Sequence, residues 1–198
     1  MNTSYTIDRT WFTQCLHNQE LVDRLKDITL IICDIDGSLT DGTIYVTGAE
    51  EVARGFSVVD GFAFKPAQQA GIAIAFMSGK HNNSILVRAK TLGIPEHLVV
   101  QGVKDKCQAT KDLLASLGKS ANNLLIFGDD VLDASVKIDQ PDYLFVCPND
   151  APFYIQATAD LVLPRCGGRH TFRLLLDLML FIRNKHPMQT TIQSLIHE

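Results

Sequence analysis

Residues 34–42 read D-I-D-G-S-L-T-D-G and follow directly on the apolar run I-T-L-I-I-C at 28–33. Asp34 and Asp36 stand two apart, and on an extended segment side chains at i and i+2 point the same way. Two carboxylates so placed at a strand end can share a metal ion, or one can attack an electrophile while the other handles a proton. The same letters also suit a plain acidic turn, because Asp-Gly pairs are ready turn formers. A second acidic group, Gly128-Asp129-Asp130, follows the strand-like run at 124–127, with Asp133 three residues further on. A hard cation such as Mg2+ takes oxygen ligands and usually keeps water and substrate phosphate around it. Carboxylates from two strand ends would build such a site. Asp also favours turns and helix N-caps, and for Asp133 that reading stands beside the metal one. A third group is Ser78-Gly79-Lys80 after the apolar run at 72–77, with Lys104 and Lys106 beyond it. A small hydroxyl, a free backbone N–H and an ammonium suit phosphate oxygens.

These groups need elements to carry them. Apolar spacing predicts a helix over 11–26, then a buried strand over 28–33. Strand-like segments at 43–47 and 51–56, punctuated by Gly48-Ala-Glu, predict a β-hairpin. Helices are predicted over 61–70, 84–92 and 106–117, each followed by a glycine (Gly71, Gly93, Gly118) where helices favour one. Strands are predicted at 72–77, 98–100, 124–127, 143–147 and 160–163, and further helices at 132–138, 153–159 and 171–184. From residue 28 onward strand and helix alternate. That order predicts an α/β fold with a doubly wound, mostly parallel sheet, right-handed crossovers, and ligands at the carboxyl ends of the strands. A helical extension occupies 1–25, the main domain 26–186 with the hairpin inserted at about 43–56, and a polar tail, mobile or ordered by a partner, 187–198.

A chain of 198 residues is the size of one large domain. Its net charge is −4 and its Lys and Arg residues are scattered, which argues against nucleic acid as a partner. The five cysteines include no C-x-x-C pair, so neither a zinc site nor a disulfide framework is expected, and reduced thiols in the cytoplasm are the simplest reading. No apolar run reaches membrane-spanning length, and the polar opening M-N-T-S-Y-T-I-D-R-T predicts no leader.

The ordered motifs resemble the haloacid dehalogenase superfamily of phosphatases. Within it they are most similar to the family of 3-deoxy-D-manno-octulosonate 8-phosphate phosphatases, which serve lipopolysaccharide sugar synthesis. The resemblance runs over about 26–182. It is carried by the 34–42 motif, Phe56, Asp60-Gly61, Ser78-Gly79-Lys80, Gln101-Gly102-Val-Lys-Asp105-Lys106, Gly128-Asp129-Asp130 and Gly167-Gly168-Arg169-His170. It implies a Rossmann-like fold without a cap domain and a magnesium-dependent phosphomonoesterase acting on a sugar-acid phosphate. It further implies that Asp34 is the nucleophile forming an aspartyl-phosphate and that Asp36 is the general acid and then the base. Ser78, Gly79, Lys80, Lys106, Asp60 and Arg169 would bind phosphate or substrate. Asp34, Asp129 and the backbone carbonyl of Asp36 would bind Mg2+, with Asp130 behind them. A homotetramer is implied, with the hairpin at its centre and Arg169 and the tail near an adjacent site.

Two positions depart from the family pattern. Lys80 stands where the family has arginine, which loses a planar fork suited to a carboxylate. His170 stands where the family has glycine, at a backbone position that can require positive φ. Two other functions share these features: a phosphatase for another small phosphate such as N-acylneuraminate 9-phosphate, and a catalytically silent binding or assembly module on the same fold. Outside the motifs, His81 adjoins the Ser78-Gly79-Lys80 loop, and no histidine lies in ligand spacing.

Overall fold

The structure, a computed structural model, describes residues 3–46 and 52–196. Six strands form one parallel sheet: β1 (Leu30–Cys33), β4 (Ala73–Ser78), β5 (Val99–Gln101), β6 (Leu124–Phe127), β7 (Leu144–Cys147) and β8 (Leu161–Val162). Their spatial order is β5-β4-β1-β6-β7-β8. Every residue of β1, β6 and β7 is buried, which is what a sheet covered on both faces requires of short runs of Leu, Ile, Val and Phe. The chain runs outward from β1 through β4 to β5, then returns to the other side of β1 and runs outward again from β6. Strand order therefore reverses between β1 and β6, and the crevice at their carboxyl ends is the position open to a ligand.

Two further strands, β2 (Ile44–Val46) and β3 (Val52–Arg54), pair antiparallel with each other and join no other strand among the described residues. The predicted turn of this hairpin at Gly48-Ala-Glu lies outside the described residues.

The helices are α1 (Thr3–His17), α2 (Gln19–Asp27), α3 (Val58–Gln69), α4 (Asn83–Thr91), α5 (Lys106–Leu117), α6 (Val131–Asp139), α7 (Phe153–Gln156), α8 (Thr171–Ile182) and α9 (Gln189–Ile196). α3 packs on α8, and α5 packs on α6. The single helix expected over 11–26 is two helices. Asn18 interrupts it and starts α2 by accepting a hydrogen bond from the Leu21 amide at 3.1 Å. α1 is tied to the body by the Trp11 indole N–H on the Val162 carbonyl, at 2.9 Å, and by Phe12 against Phe181. The tail, expected to be mobile or ordered by a partner, contains α9. Ile192 and Ile196 lie on one helical face there and pack against the core, while the Gln189 amide donates to the Phe181 carbonyl at 3.2 Å.

α8 holds the core together. Phe172 is fully buried between Phe64 of α3 and Phe127 of β6, with ring centroids 5.3 and 5.1 Å away. Phe172→Ala is expected to cost about 3–5 kcal/mol by chemical denaturation. A cost below about 1 kcal/mol would mean that α8 is not packed as described.

Candidate active site at the carboxyl ends of the central strands

The loop after β1 is stitched by its own sequence. The Asp34 amide continues the sheet by donating to the Phe127 carbonyl at 2.8 Å. Thr40, fully buried, turns the segment back on itself. Its hydroxyl donates to the Ile35 carbonyl at 3.1 Å and accepts from the amides of Gly37 and Gly42 at 3.4 and 3.3 Å. Ser38 donates to Asp129 at 2.8 Å. Gly37 has φ +97°, and a Cβ there would overlap the Asp129 carboxylate. The glycine after Asp36 is what lets the two acidic loops meet.

A second strap comes from far along the chain. The Gly168 amide donates to the Ser38 carbonyl at 3.0 Å. A side chain at Gly167 would overlap the Gly37 carbonyl oxygen, so only glycine permits this approach. His170, next to it, lies at φ +69° in the left-handed region, which costs a non-glycine residue about 1 kcal/mol.

Three carboxylates converge at the crevice. Asp34, Asp129 and Asp133 each offer an oxygen, and these oxygens lie within 4.8 Å of one another. Lys106, at the start of α5, stands between two of them, with its ammonium 2.5 Å from Asp34 and 2.7 Å from Asp133. Burial raises the Asp34 carboxyl above the ordinary carboxylate range and the charge of Asp133 raises it further, while Lys106 pulls it back. Asp133 is raised chiefly by burial, against the pull of Lys106. Asp129 is pushed up to about 6 by burial and by Asp133, opposed by the Ser38 hydrogen bond. For Lys106, burial works against the charge, but Asp133 and Asp34 outweigh it and hold the ammonium above its ordinary value. The site is thus overfull of negative charge, with hard oxygen donors and one buried cation. A divalent hard cation fits that donor set.

The other residues singled out in the sequence fall in several places. Ser78 is buried at the end of β4, and its hydroxyl accepts from the Lys80 amide at 3.3 Å. Gly79 and Lys80 are exposed beyond it. His81 lies over Gly102. Asp130 caps α6 by accepting from the Val131 amide at 2.6 Å, and Asp133 reciprocates toward the Asp130 amide at 3.4 Å. Asp133 therefore completes a capping box, as one of its two sequence readings had it, and it also holds Lys106. Asp60 is buried and accepts from the Arg173 amide at 2.7 Å, which caps the first turn of α8. Arg169 is 70% exposed and pairs with Asp41 at 3.0 Å.

Asp36 is held by a residue that spacing did not single out. Arg54, on β3, donates from Nε and Nη2 to the two oxygens of Asp36 at 2.6 and 2.9 Å. The one trace of it in the sequence is a lone cation in a short, otherwise apolar strand, V-A-R.

No protein-family model matches the chain. Curated relatives do. The 3-deoxy-D-manno-octulosonate 8-phosphate phosphatase KdsC of Escherichia coli K12 is 34% identical over 166 residues, covering 84% of this chain and 86% of the relative. A crystal structure of the phosphatase of that name from Yersinia pestis is 33% identical with TM-score 0.77, covering 83% of this chain and 86% of that one. Another, from Moraxella catarrhalis, holds a magnesium ion, a phosphate ion and a KDO molecule. It is 26% identical with TM-score 0.78, covering 90% of this chain and 98% of that one.

The carboxylate cluster makes a pH-dependent prediction for metal binding. In the metal-free fold the charged form of Asp129 is disfavoured, so the stability this group contributes is present at low pH and lost as pH rises through about 6. A bound cation reverses that cost only where the carboxylate is ionised. At a hundredfold excess over its Kd, Mg2+ should raise the melting temperature at pH 7.5 by roughly 5–10 °C. At pH 5 and the same concentration the rise should be less than half as large. Equal rises at both pH values would contradict a site made of these three acids.

Proposed function

The chain belongs to the haloacid dehalogenase-type 3-deoxy-D-manno-octulosonate 8-phosphate phosphatases, and from that premise we propose that it hydrolyses this sugar-acid phosphate with Mg2+ at the Asp34–Asp129–Asp133 cluster. The observation that carries the reading is the convergence of those three acids, two of them paired with one buried lysine, at the switch point of the sheet.

Asp34 and Asp129 would hold the magnesium ion, with Asp133 beside them and the Asp36 carbonyl contributing. When bound, the ion offsets the repulsion between the phosphoryl oxygens and the attacking carboxylate. Asp34 is the nucleophile. One of its oxygens accepts from Lys106, and the other, Oδ2, has no hydrogen-bond partner among the described residues. That oxygen attacks phosphorus, the ester P–O bond breaks, and the departing alkoxide takes a proton from the Asp36 carboxyl. In the second step Asp36 takes a proton from water. The water oxygen bonds to phosphorus, the bond to Asp34 breaks, and inorganic phosphate leaves. Lys106 has three N–H donors, of which Asp34 and Asp133 take two, so one remains for a phosphoryl oxygen. The Ser78 hydroxyl and the Gly79 amide stand at the end of β4 for another. Asp130, as a cap, holds α6 and through it Asp133. Lys80 and Arg169, both exposed, with Arg169 also paired to Asp41, would bind the sugar acid. Asp60 serves the substrate indirectly by fixing the start of α8.

A homotetramer is part of this reading. Tyr45 and Val46 on the hairpin and Val58 and Phe62 at the start of α3 are apolar and more than half exposed, which suits burial against further copies of the chain. A cytoplasmic location accords with five unpaired thiols and with a fold in which no described helix is long and apolar enough to cross a membrane. Neither rival function accounts better for the site. A silent module has no use for three acids and a buried lysine in one place, and the relatives share the name of the octulosonate phosphatase.

A panel of phosphate esters measured with and without Mg2+ tests the reading. The highest kcat/KM should fall on 3-deoxy-D-manno-octulosonate 8-phosphate, and chelation should remove it. Asp34→Asn should lower turnover at least about a thousandfold, while the unfolding midpoint stays or rises, since Lys106 keeps Asp133 and one of three crowded carboxylates is removed. Near-normal turnover in this variant would overturn the mechanism.

A further inference from the structure

Arg54 is placed unusually for a hairpin arginine. It sits on β3 opposite Ile44, in a two-stranded unit that joins no other strand among the described residues. Its side chain is only 1% exposed, whereas the Asp36 carboxylate it meets is 26% exposed. Nε and Nη2 form a two-pronged contact with both carboxylate oxygens. The third nitrogen, Nη1, is buried with no acceptor among the described residues. Removing a guanidinium from water is costly unless its charge is answered. Asp36 is the one carboxylate that answers it among the described residues.

The dependence runs the other way too. Asp36 accepts no hydrogen bond from any other described group. Its backbone lies within the wide turn Ile35–Leu39, at a non-helical φ of −81° and ψ of 110°. Without Arg54 its side chain would be free to rotate at the rim of the site. A forked arginine contact fixes the plane of a carboxylate as well as its distance, which a lysine cannot do. The cations are thereby divided. Lys106 takes Asp34 and Asp133, and Arg54 takes Asp36 alone.

We propose that Arg54 is a positioning residue for the reaction, holding Asp36 in the orientation from which it exchanges protons with the leaving oxygen and the attacking water. The proposal rests on the phosphatase reading above and adds a residue to it. It makes the hairpin part of the catalytic apparatus as well as an exposed apolar surface. The hairpin's attachment supports this: two residues after Arg54, Phe56 lies under the Arg88 guanidinium, 5.7 Å from ring centroid to cation, which moors the strand end beside the site.

The test is a double-mutant cycle on turnover of the sugar-acid phosphate, because a residue that acts only through Asp36 has nothing left to do once Asp36 is disabled. Asp36→Asn alone should lower kcat by about 10²–10⁴-fold. Arg54→Gln should lower kcat about tenfold or more and change KM less than about twofold, and Arg54→Lys should recover part of the loss. In the Asp36→Asn background, Arg54→Gln should change the residual kcat by less than about twofold. An equal factor in both backgrounds, or an effect on KM in place of kcat, would overturn the proposal and make Arg54 a general structural or direct substrate contact. Should Arg54→Gln not fold, Arg54→Lys carries the same cycle. A severalfold loss that vanishes with Asp36→Asn supports the proposal, and an unchanged kcat or an undiminished loss overturns it. The phosphatase reading fails separately: it falls if Asp34→Asn turns over normally, whereas the Arg54 proposal falls when Asp34→Asn and Asp36→Asn are both impaired and the cycle is additive.

Discussion

The ammonium of Lys106 between Asp34 and Asp133 is the contact around which this molecule is arranged. Two like charges about 4 Å apart repel by about 4 kcal/mol at an effective dielectric of about 20, and here three carboxylates crowd within 4.8 Å. One buried lysine answers only part of that charge. Burial, and after it the charge of Asp133, raises the Asp34 and Asp129 carboxyl groups out of their ordinary range, and the crevice is left in want of a divalent cation. Attack on a phosphate ester requires the same conditions, because nucleophile and substrate are both anionic until cations intervene. The electrostatic discomfort of the resting site is therefore the counterpart of its proposed use.

The fold meets that constraint with three strand ends and one helix start. β1 and β6 are hydrogen-bonded neighbours, so the loops that follow them leave the sheet side by side and bring Asp34 to Asp129. β4 lies on the other flank of β1 and ends at Ser78. α5 begins at Lys106, capped by Asp105, and points its first residue at both acids. The geometry is finished by backbone packing. Thr40 closes the loop after β1, and the Gly167–Gly168 segment presses on it so closely that a Cβ would not fit. Asp60 then fixes the start of α8, which follows that segment directly. A change at any of these positions would reach Asp34 through backbone displacement alone.

The sequence displays most of this order wherever the cause is local. Short β-rich runs ending in acids or glycines mark β1, β4 and β6. The 3.6-residue spacing closed by Gly118 marks α5 to its end residues. Asp34, Asp129 and Lys106 stand out because each follows an element boundary. What the sequence does not display depends on partners distant along the chain. Asp133 has the look of a helix-start residue, and only the fold adds Lys106 as its second partner, 27 residues away. Arg54 is one cation in a three-residue strand, and its meaning appears only against Asp36. Asp60 reads as part of a motif near substrate and lies as a cap on a helix 113 residues away. The break at Asn18 and the helix α9 were hidden for another reason. Polar and β-branched residues such as Thr190 and Thr191 give weak helix signals, which tertiary packing of Ile192 and Ile196 overrides.

In the proposed mechanism the Asp34 oxygen that does not accept from Lys106 attacks phosphorus, and a covalent intermediate on that side chain is the consequence. Rapid quenching of the magnesium-loaded enzyme with phosphorus-labelled substrate, followed by peptide mapping, reads it directly. The account predicts an acyl-phosphate label, released by hydroxylamine, on the peptide that contains Asp34, formed and lost at rates at least equal to turnover. Product formation at the full rate with no label on that peptide would contradict it.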